Sequence, residues 1–149
     1  MPDSPFSALH APGDRAEPQP SLVPVLAAIS AGGVLGALAR HRMSTAWPHD
    51  PAGFPWATWT VNVSGCFLIG VLMVLITSRW PDRRLIRPFL GVGLLGGYTT
   101  FSTSVVDVQQ AVAHGAPGVA LLYLGATVVG ALVAVWAGTE LTSAVVRTR

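Results

Sequence analysis

The chain has 149 residues, of which 51% are hydrophobic and 11% charged, with a formal charge of +2 and a mean hydropathy of +0.54. A soluble domain carries about 25% charged residues, so this composition excludes an ordinary soluble globule, a disordered tail protein and a nucleic-acid binder with a basic face. The positive charge comes from nine arginines and no lysine, and the lone Cys66 excludes both an intramolecular disulfide and a multi-cysteine metal site.

Residues 1–21 are polar and broken by Pro2, Pro5, Pro12, Pro18 and Pro20, and read as a flexible tail. No cationic region leads directly into a short apolar core, so a cleaved signal peptide is not expected. Four apolar stretches follow. They run from about Leu22 to Ala39, with an extension towards Trp47, then Pro55 to Thr77, Phe89 to Ala113, and Gly118 to Thr142. Each approaches the roughly 20 residues that cross a hydrocarbon core as a helix. None alternates apolar and polar residues as a barrel strand would. The connections hold the breakers: Pro48 and Pro51, then Pro81, then Gly115 and Pro117. Trp47, Trp56, Trp59 and Trp80 lie near span ends, where an interfacial belt places them. The reading is an all-α integral membrane protein with one four-helix domain, residues 22–142, and a short basic tail, 143–149.

Charge sets the expected orientation. The side of the tail, the second loop and the C-terminus carries Arg15, Arg79, Arg83, Arg84, Arg87, Arg147 and Arg149, against Arg40 and Arg42 on the other. Both termini are therefore expected in the cytoplasm, with the protein in the cell's inner (plasma) membrane.

Inside the spans, Gly32 with Gly36 and Gly93 with Gly97 have the spacing of close helix packing, either within the subunit or between subunits. Asn62 lies about seven residues into the second span; it is interhelical glue or a functional amide. Arg40 snorkels to the interface or forms a cationic vestibule. The third span reads Gly96-Gly97-Tyr98-Thr99-Thr100-Phe101-Ser102-Thr103-Ser104. Paired glycines followed by hydroxyl residues argue for a break, whose freed carbonyls can coordinate a cation, or for a kink filled by hydroxyl back-bonding. Asp107 and Glu140 have water-facing positions open to them, and the four histidines fall in the tail, loops or span ends. No zinc-protease, paired-carboxylate, nucleophile-elbow or phosphate-loop pattern supports catalysis. The spans thus offer amide and hydroxyl donors, an aromatic ring and an arginine, with almost no buried acid. That set suits an anion, since a carboxylate in the path would repel it, and the positive edge of the Phe101 ring adds to it.

Three motifs carry a resemblance. They are Gly32-Gly33-x-x-Gly36-Ala37-x-x-Arg40, then Pro55-x-x-Thr58-x-x-Val61-Asn62-x-x-Gly65-x-Phe67-x-x-Gly70, then Gly93-x-x-Gly96-Gly97-x-Thr99-Thr100-Phe101-Ser102-Thr103. From about Ala31 to Trp136 the chain resembles the Fluc/CrcB family of fluoride channels. The resemblance implies an antiparallel dual-topology dimer with a broken third helix and two fluoride pores. A sodium ion at the dimer centre would be held by the carbonyls of Gly96 and Thr99. Asn62, Phe101, Ser102, Thr103, Tyr123 and Thr127 would line the pore, and Arg40 the vestibule. Asp107 stands where the family usually has Glu, and Ser104 where it usually has a second Phe. With the arginine bias, Ser104 fits a subunit of fixed orientation that pairs with a related chain, as some members do. The implied task is passive fluoride export, by a homodimer or a heterodimer. The rivals are a silent membrane subunit and a small multidrug-type exporter. The exporter would need a carboxylate in the first span, and Leu22 to Ala39 contains none.

Overall fold

The computed structural model describes residues 22–81 and 83–148. The expected segments 1–21 and the last residue of 143–149 lie outside them. The described residues form helices α1 (Leu22–Ala46), α2 (Trp56–Arg79), a π-helical segment Arg87–Leu95 that runs into α3 (Gly96–Tyr98), α4 (Ser102–Ala113) and α5 (Pro117–Arg147). Among these residues four stretches are long and apolar enough to span a bilayer: Leu22–Ala46, Trp56–Arg79, Arg87–Ala113 and Pro117–Arg147. In lipid every backbone amide must find its partner within the chain, which favours continuous helices over any open alternative.

The helix ends follow local chemistry. α1 stops short of Pro48, whose ring disfavours helix at the residue before it. In the following loop the Asp50 carbonyl accepts from Gly53 N at 2.8 Å, and Asp50 Oδ1 accepts from Ala52 N at 2.8 Å. Such Asx turns are how aspartate reverses a chain. α2 ends before Pro81. Between α4 and α5, Gly115 takes a positive φ of 79°, and Pro117 opens α5 at a position where its missing amide costs nothing. α5 continues to Arg147, beyond the expected end at Thr142, because no breaker intervenes.

Two close helix pairs hold the bundle together: α1 with the third span, and α2 with α5. The first pair is backbone against backbone. A Cβ on Gly32 would strike the Phe89 carbonyl oxygen, one on Gly36 the Leu94 carbonyl oxygen, and one on Gly97 the Gly33 carbonyl oxygen. Both glycine pairs therefore pack within the subunit, which resolves the alternative left open by their spacing. The second pair uses Gly70 against Val135 and Thr139, and Gly138 against Phe67. Val61 and Tyr123 are the largest fully buried side chains. Outward faces are apolar: Leu26, Leu35 and Leu38 on α1, and Leu121, Leu132 and Trp136 on α5, are all more than half exposed. A bilayer or a partner helix is the environment that such faces need.

Candidate functional site

The third span departs from regular helix between its two halves. After Tyr98, Thr99 is extended, with φ −77° and ψ 157°, and helix resumes at Ser102. The Thr99 hydroxyl donates back to Leu95 O at 2.9 Å, so hydroxyl back-bonding occurs together with the interruption. At Thr100 the backbone turns to a side chain for its partners. Its amide donates to Asn62 Oδ1 at 2.9 Å, and its carbonyl accepts from Asn62 Nδ2 at 3.0 Å. Asn62 thus mimics a peptide group and satisfies both backbone groups that the helix abandons. The Thr100 side chain caps α4: its Oγ1 accepts from Thr103 N at 3.2 Å, donates to Thr103 Oγ1 at 3.0 Å and lies 3.3 Å from Ser102 Oγ.

Ser104 is the hub of the cluster. Its Oγ accepts from Asn62 Nδ2 at 2.9 Å and from the Tyr123 hydroxyl at 2.8 Å, and it donates to Thr100 O at 3.2 Å. Four residues on three helices are locked in one network, with Tyr123 only 1% exposed. Thr127, one turn beyond Tyr123, donates to the Tyr123 carbonyl at 2.7 Å.

This network forms one wall of an open cavity of about 350 Å³. Asn62, Thr99, Thr100, Phe101, Ser104, Tyr123 and Thr127 line it, with Cys66 and the apolar Leu124, Val128 and Ala131 opposite. No acidic or basic side chain lines it. The Phe101 ring stands at its edge, 84% exposed in the single subunit. Of the residues expected in a pore, the structure gathers Asn62, Phe101, Ser104, Tyr123 and Thr127 here. Ser102 and Thr103 lie outside the lining and bond to the Thr100 hydroxyl instead. Thr100 and Cys66 are lining residues that the sequence reading did not single out. Cys66 sits four residues after Asn62, on the same face of α2.

Arg40 is half-buried, and its Nη1 lies 3.5 Å from the Thr99 carbonyl oxygen. That distance is at the outer edge of hydrogen bonding. Asp107 does not face water: it is 7% exposed, and its Oδ1 lies 3.9 Å from His49 Nε2. It shares the buried face of α4 with Ser104 and Ala111. Glu140 is exposed. Among the described residues no group of three or more His, Cys, Asp or Glu could hold a metal ion. Backbone oxygens are another matter. In a continuing helix the Thr100 amide would bond Gly96 O; here it is diverted to Asn62, while Thr99 turns to extended geometry. Gly96 is exposed, with nothing within 4 Å of where a Cβ would lie. A carbonyl oxygen has two lone pairs, so the Arg40 contact leaves Thr99 O one to offer. The two carbonyls fit a hard monovalent cation.

Four apolar spans around a donor-rich, charge-free cavity at membrane depth define a multi-pass membrane protein. Residues 27–139 match the family described as CrcB-like protein, Camphor Resistance (CrcB). The chain belongs to that family, whose members are ion channels rather than enzymes. It is 56% identical over 115 residues to a protein of Nocardia farcinica named Fluoride-specific ion channel FluC 2, covering 77% of this chain and 82% of that one. A Streptomyces avermitilis protein of the same name is 50% identical over 123 residues, 83% of this chain and 78% of that one. One from Thermobifida fusca is 53% identical over 120 residues, 80% of this chain and 89% of that one.

Proposed function

We propose that this chain forms a fluoride-selective channel that lets cytoplasmic fluoride leave passively, with pores completed at the interface of a dimer. The carrying observation is the Asn62–Thr100–Ser104–Tyr123 network on a cavity without a charged lining residue, in a chain whose relatives are named fluoride-specific ion channels. The donors are already hydrogen-bonded to one another. An entering anion must win them from neutral acceptors, and charge-assisted hydrogen bonds are roughly twice as strong as neutral ones. A small, charge-dense anion gains most from that exchange. Hydrogen fluoride is a weak acid that crosses lipid and ionises in a more alkaline cytoplasm, so the trapped anion leaves down its own gradient.

The open cavity and the outward Phe101 ring support a second subunit closing the path, antiparallel to the first in the inner membrane. Gly96 and Thr99 carbonyls would hold a structural sodium ion at that centre, supplying a fixed positive charge. The arginine bias supports termini in the cytoplasm. A heterodimer is favoured by two features. Ser104 replaces the ring that would complete the aromatic set, and a seven-to-two arginine count opposes insertion in both orientations. Streptomyces avermitilis has proteins named both FluC 2 and FluC 3, which shows that such chains coexist.

The test is fluoride efflux from liposomes, read with a fluoride electrode, for this protein alone and with a related chain. Fast efflux without chloride leak, abolished by Asn62→Asp, is the expected result. Conduction by the pure protein as a homodimer would remove the heterodimer reading. No efflux from folded protein in either arrangement would overturn the channel reading.

A further inference from the structure

The network's polar character does not end at Tyr123. One turn of α4 beyond Ser104 is Asp107, a carboxylate 7% exposed whose Oδ2 has no hydrogen-bond partner. Tyr123 lies within electrostatic reach of it. The loop between α1 and α2 covers this end with two contacts. Phe54 sets its ring edge-on to Tyr123, centroids 5.5 Å apart, and His49 Nε2 stands 3.9 Å from Asp107 Oδ1. His49 is itself 23% exposed and so remains open to protons from water. The other ionisable groups at this end are differently engaged. Asp50 is tied into its own turn, His114 is exposed with Nδ1 2.8 Å from Gln110 O, and His41 and Arg42 are exposed on the last turns of α1.

A carboxylate buried at the end of an anion path is a barrier unless its charge is balanced. The only cationic group that the described residues bring within 4.0 Å of it is the imidazole of His49, and only when protonated. We propose that His49 is a positioning residue for anion passage: its imidazolium neutralises Asp107, and loss of its proton closes this end of the column to anions. The proposal rests on the channel reading above. With His49 protonated the pair carries no net charge. With His49 neutral the pair is negative, and the anion is repelled. Flux therefore falls as pH rises through the range, about 5 to 8, where histidines titrate.

The experiment measures fluoride efflux from liposomes at symmetric pH between 5.5 and 8.5, corrected for leak in protein-free vesicles. It uses whichever arrangement, this chain alone or with its related partner, conducts. Wild type should lose flux by about tenfold or more across that range. His49→Gln should be slow and flat, His49→Arg fast and flat, and the double variant His49→Gln with Asp107→Asn should recover flux without pH dependence. A wild-type profile in His49→Gln would overturn the proposal and leave the channel reading standing. A second readout needs no conduction. Nitrogen-15 NMR of the histidines in detergent should show His49 binding its proton about tenfold more weakly in Asp107→Asn than in wild type. Equal affinity in the two proteins would overturn the pairing, whatever the flux.

Discussion

Replacing Asn62 by leucine tests whether one carboxamide holds the interruption of the third span together. Leucine nearly matches asparagine in size, so the change removes chemistry rather than bulk. It takes away the acceptor of the Thr100 amide and the donor to Thr100 O and Ser104 Oγ. Ser104 still donates to Thr100 O, so that carbonyl keeps one partner. The Thr100 amide keeps none, and Thr100 is buried. An orphaned buried amide costs about 1–3 kcal/mol. The two lost side-chain bonds add about 0.6 kcal/mol each, the mean found for hydrogen bonds between membrane helices. Together they amount to roughly 2–4 kcal/mol. Reversible unfolding in mixed micelles, followed by tryptophan fluorescence, measures the difference directly. A double-mutant cycle with Ser104→Ala isolates the Asn62–Ser104 bond, whose coupling should not exceed about 1.7 kcal/mol. A total loss below about 1 kcal/mol would refute the reasoning. It would mean that the amide finds another acceptor or that water reaches it.

Three further outcomes follow from particular contacts. Phe101→Ile should leave the stability of the isolated subunit within about 0.5 kcal/mol of wild type, since the ring is exposed there. Fluoride flux should nevertheless fall sharply, because isoleucine keeps bulk and lacks the ring edge; liposome efflux and unfolding measured on one preparation decide it. Gly36→Val should cost more than about 3 kcal/mol or prevent folding, since backbone meets backbone there and no side chain can give way. Gly118→Ala, with nothing within 4 Å of the added carbon, should change stability by less than about 0.5 kcal/mol, and thermal unfolding in detergent compares the two. Arg40→Ala should slow flux while leaving the fluoride-to-chloride ratio unchanged; loss of stability with normal flux would show that the Thr99 contact is its whole role.

The spans were legible because hydropathy and breakers are local properties, and the four stretches overlie the four helices closely. The glycine spacing was legible as close packing. Which neighbour it packed against was not, because Gly32 and Gly36 acquire their partners only when the third span folds beside α1. The run from Thr99 to Ser104 announced irregular backbone but concealed which hydroxyl would be its centre. That depends on where helix resumes: a restart at Ser102 makes Thr100 a cap, turns Ser104 towards Asn62 and leaves Phe101 outside. The same phase carries Asp107, three residues past Ser104, onto the buried face. In sequence it looked like any acid near a span end. Cys66, one turn from Asn62, was readable as a lining residue from helical spacing alone.

The first half of the third span is a nine-residue π-helix, Arg87–Leu95. A π turn closes its hydrogen bonds one residue later than an α turn, so this segment stores extra residues in a given length. Deleting a single residue there would let the backbone relax to the narrower helix and would rotate everything that follows by about 100°. Thr100 would swing away from Asn62, Ser104 from Tyr123, and Asp107 from His49, without a change to any of those side chains. The wide helix is thus a phase-setting spacer, and the alignment of the whole polar column is encoded in a segment that contributes no group to it.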